Sequence, residues 1–157
     1  MSTEAVDVEL ETATGERRRL SEHRGRVVVL FWEDREHQTE NTALKDELAR
    51  HAADASLRRE VVVVGVGDVS RFDFSPARQI VRAALGAVSR VAGIELWLDW
   101  TGALGHPPFG LAPGRSNVLV LDRRGVPVLA RSGALGPTER RALLATVRSL
   151  LTLVAAA

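Results

Sequence analysis

A chain of 157 residues, 45% hydrophobic and 26% charged, is most simply one domain with enough length to bury a sizeable core. Its net charge of +1 gives no global pull toward nucleic acid or an anionic membrane surface. It has no cysteine, which excludes disulfides, thiolate nucleophiles and zinc–thiolate sites.

The basic residues other than histidine are arginines, with Lys45 the single lysine. The arginine runs at 17–19, 58–59 and 140–141 are scattered and too short for a nucleic-acid arm. Residues 1–7 are polar and acidic, unlike the basic and apolar regions of a secretory signal. No stretch reaches the ~18 apolar residues of a membrane span. The expected location is therefore the cytoplasm for the chain as written, or the periplasm had a leader been removed.

Residues 6–10 alternate as in a half-exposed strand, and Thr14-Gly15-Glu16 turns the chain into a second short strand over 17–20. One helical turn at 21–25, closed by Gly25, precedes the apolar run 26–32, the pattern of a strand covered on both faces. A charged loop follows, then a helix from about Glu40. Leu44, Leu48 and Ala52 mark its core stripe, and Thr39 or Asp34 is placed to cap it. Residues 53–59 read as its exit loop, and 61–66 as a second buried strand of parallel type.

Ser75-Pro76 opens the next helix, whose stripe is Ile80, Val81, Ala84, Leu85, Val88 and Val91 and whose end is Gly93. Gly86 inside it costs roughly 1 kcal/mol against Ala, so a close neighbour is expected there. A short strand at 95–98, a turn at 99–102 and a Pro/Gly-rich surface loop at 105–114 come next. Residues 117–121 and 126–131 form a hairpin about Asp122-Arg123-Arg124-Gly125, with Pro127 marking an edge strand or a bulge. The last helix starts at 136–139 and carries Leu143, Leu144, Val147, Leu150, Leu151 and Val154 on its apolar face. Strands alternating with helices, then a late hairpin, give an α/β fold with a mixed sheet and helices on both faces.

Three stretches resemble the thioredoxin fold, in its peroxiredoxin and thiol-oxidoreductase branch. Residues 9–20 followed by Ser21-Glu22-His23-Arg24-Gly25-Arg26-Val27-Val28-Val29-Leu30-Phe31-Trp32 are similar to that branch's opening. Residues 116–126 are similar to its Phe-Leu-Ile-Asp-x-x-Gly-x-Val hairpin, and the last helix falls where the branch has its final one. Residues 98–102 and 130–135 resemble the YtfJ-type proteins within this superfamily. The resemblance implies one thioredoxin-like domain over residues 1–157. It is a three-layer sandwich with a mixed central sheet, helices on both faces and an N-terminal β-hairpin extension.

The same resemblance implies a Cys-x-x-Cys at the helix start, where the dipole activates a thiol. The aligned residues here are Glu36 and Thr39, and the cis-proline that faces the cysteines aligns with Ser116. Dithiol–disulfide exchange and cysteine-based peroxide reduction are thereby excluded. The expected function is that of a redox-inactive interaction or scaffold module without cofactor or metal. Its partner is a protein, or a second copy through an edge strand near Pro127 or residues 6–10.

The expected working surface is the degenerate site: Trp32, Arg35, Glu36, His37 and Thr39, facing Arg115 and Ser116. Glu33, Asp34, Glu36, His37 and Glu40 cluster there, and His37 and Glu40 can share a helix face. The alternative reading is a non-redox enzyme, or a small-ligand or metal protein, using His37 as base with Glu36 or Glu40. Acidic residues at a helix start are, however, already favoured by the dipole. The histidines His23, His37, His51 and His106 show no ligand spacing. Trp97 and Trp100 read as core and loop packing, with an exposed binding pair as the alternative.

Overall fold

The computed structural model describes residues 3–92 and 95–155, without the side chains of residues 52, 88–92, 154 and 155. Strands β1 (Glu9–Thr12) and β2 (Arg17–Arg19) pair antiparallel about a turn in which Gly15 takes a φ of +90°, open to glycine and strained for other residues. A 3-10 turn, Leu20–His23, feeds β3 (Val27–Glu33). Then come α1 (Thr42–Ala52), a short α2 (Ala55–Arg58), β4 (Val61–Asp68), α3 (Ala77–Ala92) and β5 (Glu95–Asp99). The hairpin β6 (Asn117–Leu121) and β7 (Pro127–Ser132) and the long α4 (Pro137–Ala155) complete the chain.

The strands form one mixed sheet in the order β2-β1-β5-β4-β3-β6-β7. β3, β4 and β5 run parallel, as right-handed crossovers through α1 and α3 require. β6 returns antiparallel to β3 and β7 antiparallel to β6, while β1 lies antiparallel to β5. The alternating pleat assigns each residue of β3 a face. Val27, Val29 and Phe31 pack with Leu44, Leu48, Leu143 and Val147 under α1 and α4. Val28, Leu30 and Trp32 face the other way, onto Leu20, Leu104, Leu111 and Trp97. Leu98 shares the α1 and α4 face through the register Glu33–Gly67–Leu98, and α3 packs over it with Val81 and Leu85. The opposite face is covered by Val6 and by the 3-10 turns Leu20–His23 and Ala103–Gly105, together with Leu111.

Several expectations are met closely. Pro127 lies on the edge strand β7 beside a register shift between Val120 and Leu121. Gly86 is buried, and a Cβ there would stand 3.5 Å from the Ala13 carbonyl oxygen. Trp97 and Trp100 are core residues.

Others are corrected. The first strand starts at Glu9, because Val6 tucks under the sheet and its N–H bonds the Gly125 carbonyl. α1 starts at Thr42, since residues 35–41 form successive turns; Asn41 takes the N-cap position in place of Thr39 or Asp34. The exit loop 53–59 contains α2, which Asp54 caps through the Ser56 N–H. In α3, Ile80 and Ala84 are exposed, because the helix turns Val81 and Leu85 inward. β4 is only half covered: Val61, Val63 and Gly65 retain exposure on the α1 face. The 105–114 segment is fastened by buried Leu111 and by Asn117, which exchanges hydrogen bonds with both the N–H and the carbonyl of Ala112. The side-chain assignments for Ala52, Val88, Val91 and Val154, and the helix end at Gly93, lie outside the described residues.

Candidate functional site

The carboxyl end of β3 carries two different environments, because the pleat sends neighbouring residues to opposite faces. Glu33 continues the Phe31 row toward α1. Its Oε2 accepts the Ser116 hydroxyl and its Oε1 pairs with Lys45. Lys45 also donates to the Gln38 carbonyl at 2.7 Å and lies 5.2 Å from the Phe31 ring centroid.

Asn41, 1% exposed, joins this network to the rest of the fold. Its amide nitrogen donates to Ser116 Oγ at 2.8 Å and to the Gly133 carbonyl at 3.1 Å. Its carbonyl oxygen accepts from the Leu135 N–H at 2.9 Å. Three chain segments therefore meet at one side chain: the start of α1, the start of β6 and the β7–α4 connection. A buried polar network of this kind is costly unless every member is satisfied, and here each of these groups has its partner. Ser116 is fully buried, and Arg115–Ser116 is a trans bond; the cis bonds among the described residues are Ser75–Pro76 and Pro107–Pro108.

Trp32, expected on the working surface, is 1% exposed and lies on the opposite face of the sheet. A Cβ on Gly105 would meet its indole at 3.3 Å, so the Ala103–Gly105 turn packs directly on it. Its Nε1 has no hydrogen-bond partner among the described residues.

The surface above Ser116 is charged. Arg35, Glu36, Thr39 and Arg115 are exposed. Glu36 meets Arg71 at 3.3 Å, both far out in solvent, so the pair contributes at most about 1 kcal/mol. Asp34, Arg35, Glu36, Asp68, Arg71 and Phe72 line a shallow open groove where β3 and β4 end. His37 is held by Asp34. Its Nδ1 lies 2.6 Å from Asp34 Oδ1, its backbone N–H donates to the same oxygen at 3.0 Å, and its Nε2 lies 3.8 Å from Glu40. The Glu40 carboxylate in turn reaches the Ser116 N–H at 3.5 Å.

The hydrogen bond that His37 donates to Asp34 raises the His37 pKa above the ordinary histidine value, with the charges of Asp34, Glu40 and Glu36 adding to it against a smaller loss of hydration. An imidazole held toward its charged form is a stronger base with a smaller unprotonated fraction at neutral pH. Of the two partners that the alternative reading names for His37, Glu40 is the one near its ring, while Glu36 pairs with Arg71. Among the described residues no group of three His, Asp or Glu side chains is arranged to hold a metal.

The raised pKa makes a titration prediction. The stabilisation from the Asp34–His37 contact is fully present below the unfolded histidine pKa and is lost as pH rises through the higher folded value. In a proton NMR titration His37 should show a midpoint above that of model histidine. Asp34→Asn should bring it down. An unchanged midpoint in the variant would show that Asp34 is not the cause.

Asn41 and Lys45 are the polar residues that the sequence reading left out of the site, and Glu33 was placed there only as one of an acidic cluster. A signal for Glu33 was present: it is the one charge on an otherwise apolar strand, in register with Phe31. Asn41 carried no comparable signal, because its partners at 116, 133 and 135 are distant in sequence.

No known family profile and no curated protein matches the sequence. Solved structures do match. The exposed lipoprotein thioredoxin Etrx1 from Streptococcus pneumoniae strain TIGR4 is 21% identical, with a TM-score of 0.64 over 92% of this chain and 99% of that one. A DsbF homologue from Corynebacterium diphtheriae is 17% identical, with a TM-score of 0.65 over 93% and 85%. The hypothetical protein SMc02350 from Sinorhizobium meliloti 1021 is 19% identical, with a TM-score of 0.67 over 97% and 84%. The chain has the thioredoxin fold: an α/β structure on a seven-stranded mixed sheet. It has no cysteine. Among the described residues no helix is long and apolar enough to cross a membrane.

Proposed function

We propose that this protein is a redox-inactive thioredoxin-fold module that docks a protein partner on the charged surface at the end of β3. The observation that carries the reading is the fate of the redox positions. By the resemblance, Glu36 and Thr39 take the places of the cysteines and Ser116 that of the cis-proline, and the Ser116 hydroxyl is held by Glu33 and Asn41. Ser116 is tied into the fold, while Arg35, Glu36, Thr39 and Arg115 stay exposed beside half-buried His37 as a mixed-charge surface. Mixed charge on a rigid sheet end favours orientation and partner choice over tight burial. A charged protein segment complementary to this pattern is the expected partner.

The test compares the wild type with a Glu36→Ala, His37→Ala, Arg115→Ala variant as immobilised baits in native lysate. The partner recovered by the wild type is then purified and titrated against both proteins in a calorimeter. The expected result is binding to wild type and at least a roughly tenfold weaker affinity for the variant, the size expected when charge-assisted contacts are lost. Equal affinity for both would reject the surface as the docking site. Turnover of a defined substrate that vanishes in the variant would reject the non-catalytic reading itself.

A further inference from the structure

The half-covered face of β4 continues into an apolar groove away from the β3 end. Leu48 of α1, Leu57 of α2, Val61 and Val63 of β4, and Leu144, Val147 and Leu151 of α4 line it. The enclosed part of the groove is small, about 70 Å³, and the rest of it is open to solvent. Two basic side chains complete the lining, His51 in the last turn of α1 and Arg148 on α4. Among the described residues neither side chain has a hydrogen bond or an ion pair. The carboxylates on the framing elements are largely engaged elsewhere. Glu47 holds Arg140 at 3.4 Å, Asp54 caps α2, and Glu60 is paired with Arg123; Asp46 is exposed on α1 and outside the lining.

We propose that this groove binds an alkyl carboxylate, a free fatty acid of medium chain length. Aliphatic walls supply the affinity for the tail, since each methylene removed from water adds to it. Arg148 supplies the fork of donors that a carboxylate accepts, and His51 supplies a second donor. The observation that selects this occupant is the pairing of an apolar trough with unpaired basic groups in its lining. A purely apolar ligand leaves Arg148 unused, and a cationic amphiphile meets two basic groups.

The experiment is a calorimetric titration with decanoate below its micellar concentration, with decanol and decyltrimethylammonium as matched probes. Methyl NMR of Val61, Val63, Leu144 and Val147 locates the site. The expected result is one saturable decanoate site that shifts these methyls, weaker binding of decanol by roughly tenfold, and no binding of the cation. Arg148→Glu lies on an exposed position of α4 and should leave the fold, read by circular dichroism, unchanged. It should weaken decanoate by roughly tenfold or more and admit the cation. Absence of saturable binding, shifts confined to other methyls, or full decanoate affinity in the folded Arg148→Glu protein would each overturn the proposal. So would a dimer in light scattering whose interface shields these methyls, because the groove would then belong to a second copy.

Discussion

Replacing Asn41 with Ala should lower the unfolding free energy by about 3–4 kcal/mol, among the larger losses from any single polar substitution in this fold. The substitution leaves the Leu135 N–H and the Gly133 carbonyl without their partner and removes one of the two groups that hold Ser116 Oγ. Each orphaned buried group costs about 1–3 kcal/mol, and water cannot readily replace a side chain that is 1% exposed. Urea unfolding reads the loss, and amide exchange at Leu135 reads its local origin. Ser116→Ala should cost less, because Glu33 keeps Lys45 and Asn41 keeps Gly133 and Leu135. The double variant should lose less than the sum of the two, as expected for groups in one network. Strict additivity would mean that Asn41 and Ser116 act separately, and that the joining of α1 to β6 is not what holds this end of the sheet.

Such a result also bears on what was readable in the sequence. The existence of β3 and of the β6–β7 hairpin followed from the apolar run 27–32 and the Asp-Arg-Arg-Gly turn, because period and turn chemistry are local properties. The exclusion of cysteine-based exchange followed from the absence of cysteine alone. The pleat, used consistently, would also have separated Trp32 from Glu33, since adjacent strand residues cannot share a face. What no local pattern carries is which distant polar groups meet. Asn41 finds Ser116 and Gly133 across 75 and 92 positions, and the Glu11 carboxylate finds Trp100 across 89. The exposed Ile80 has a physical reason as well. Arg78 and Arg82 lie over Trp100, at 4.6 Å and 5.7 Å from a ring in its indole, and this turns Val81 and Leu85 inward and Ile80 out.

That cluster is the setting of the second large effect. Glu11 sits on the edge-side strand β1 with its side chain 8% exposed. It accepts from Trp100 Nε1 at 2.9 Å, pairs with Arg82 at 2.6 Å and lies 3.9 Å from Arg78. Burial favours its neutral form, but the Arg82 hydrogen bond and charge, the Trp100 N–H and Arg78 together outweigh burial and hold its pKa below the ordinary glutamate value. Glu11→Leu should therefore cost about 3 kcal/mol, the low end for removing one partner of a buried pair, because both arginines keep some access to water. Glu11→Gln separates charge from shape. A depressed folded pKa means that the stabilisation is present above the unfolded glutamate pKa and disappears as pH falls through the folded value. The stability gap between wild type and Glu11→Gln should thus be widest near neutrality and close progressively on acidification, measured by urea midpoints across the acid range. Other lowered carboxylates, Asp7, Asp54 and Glu95, titrate alike in both proteins and cancel in the difference. A gap that stays constant with pH would assign the loss to hydrogen-bond geometry at Trp100. A gap that closes assigns it to the charge that fastens α3 to the β1–β5 edge of the sheet.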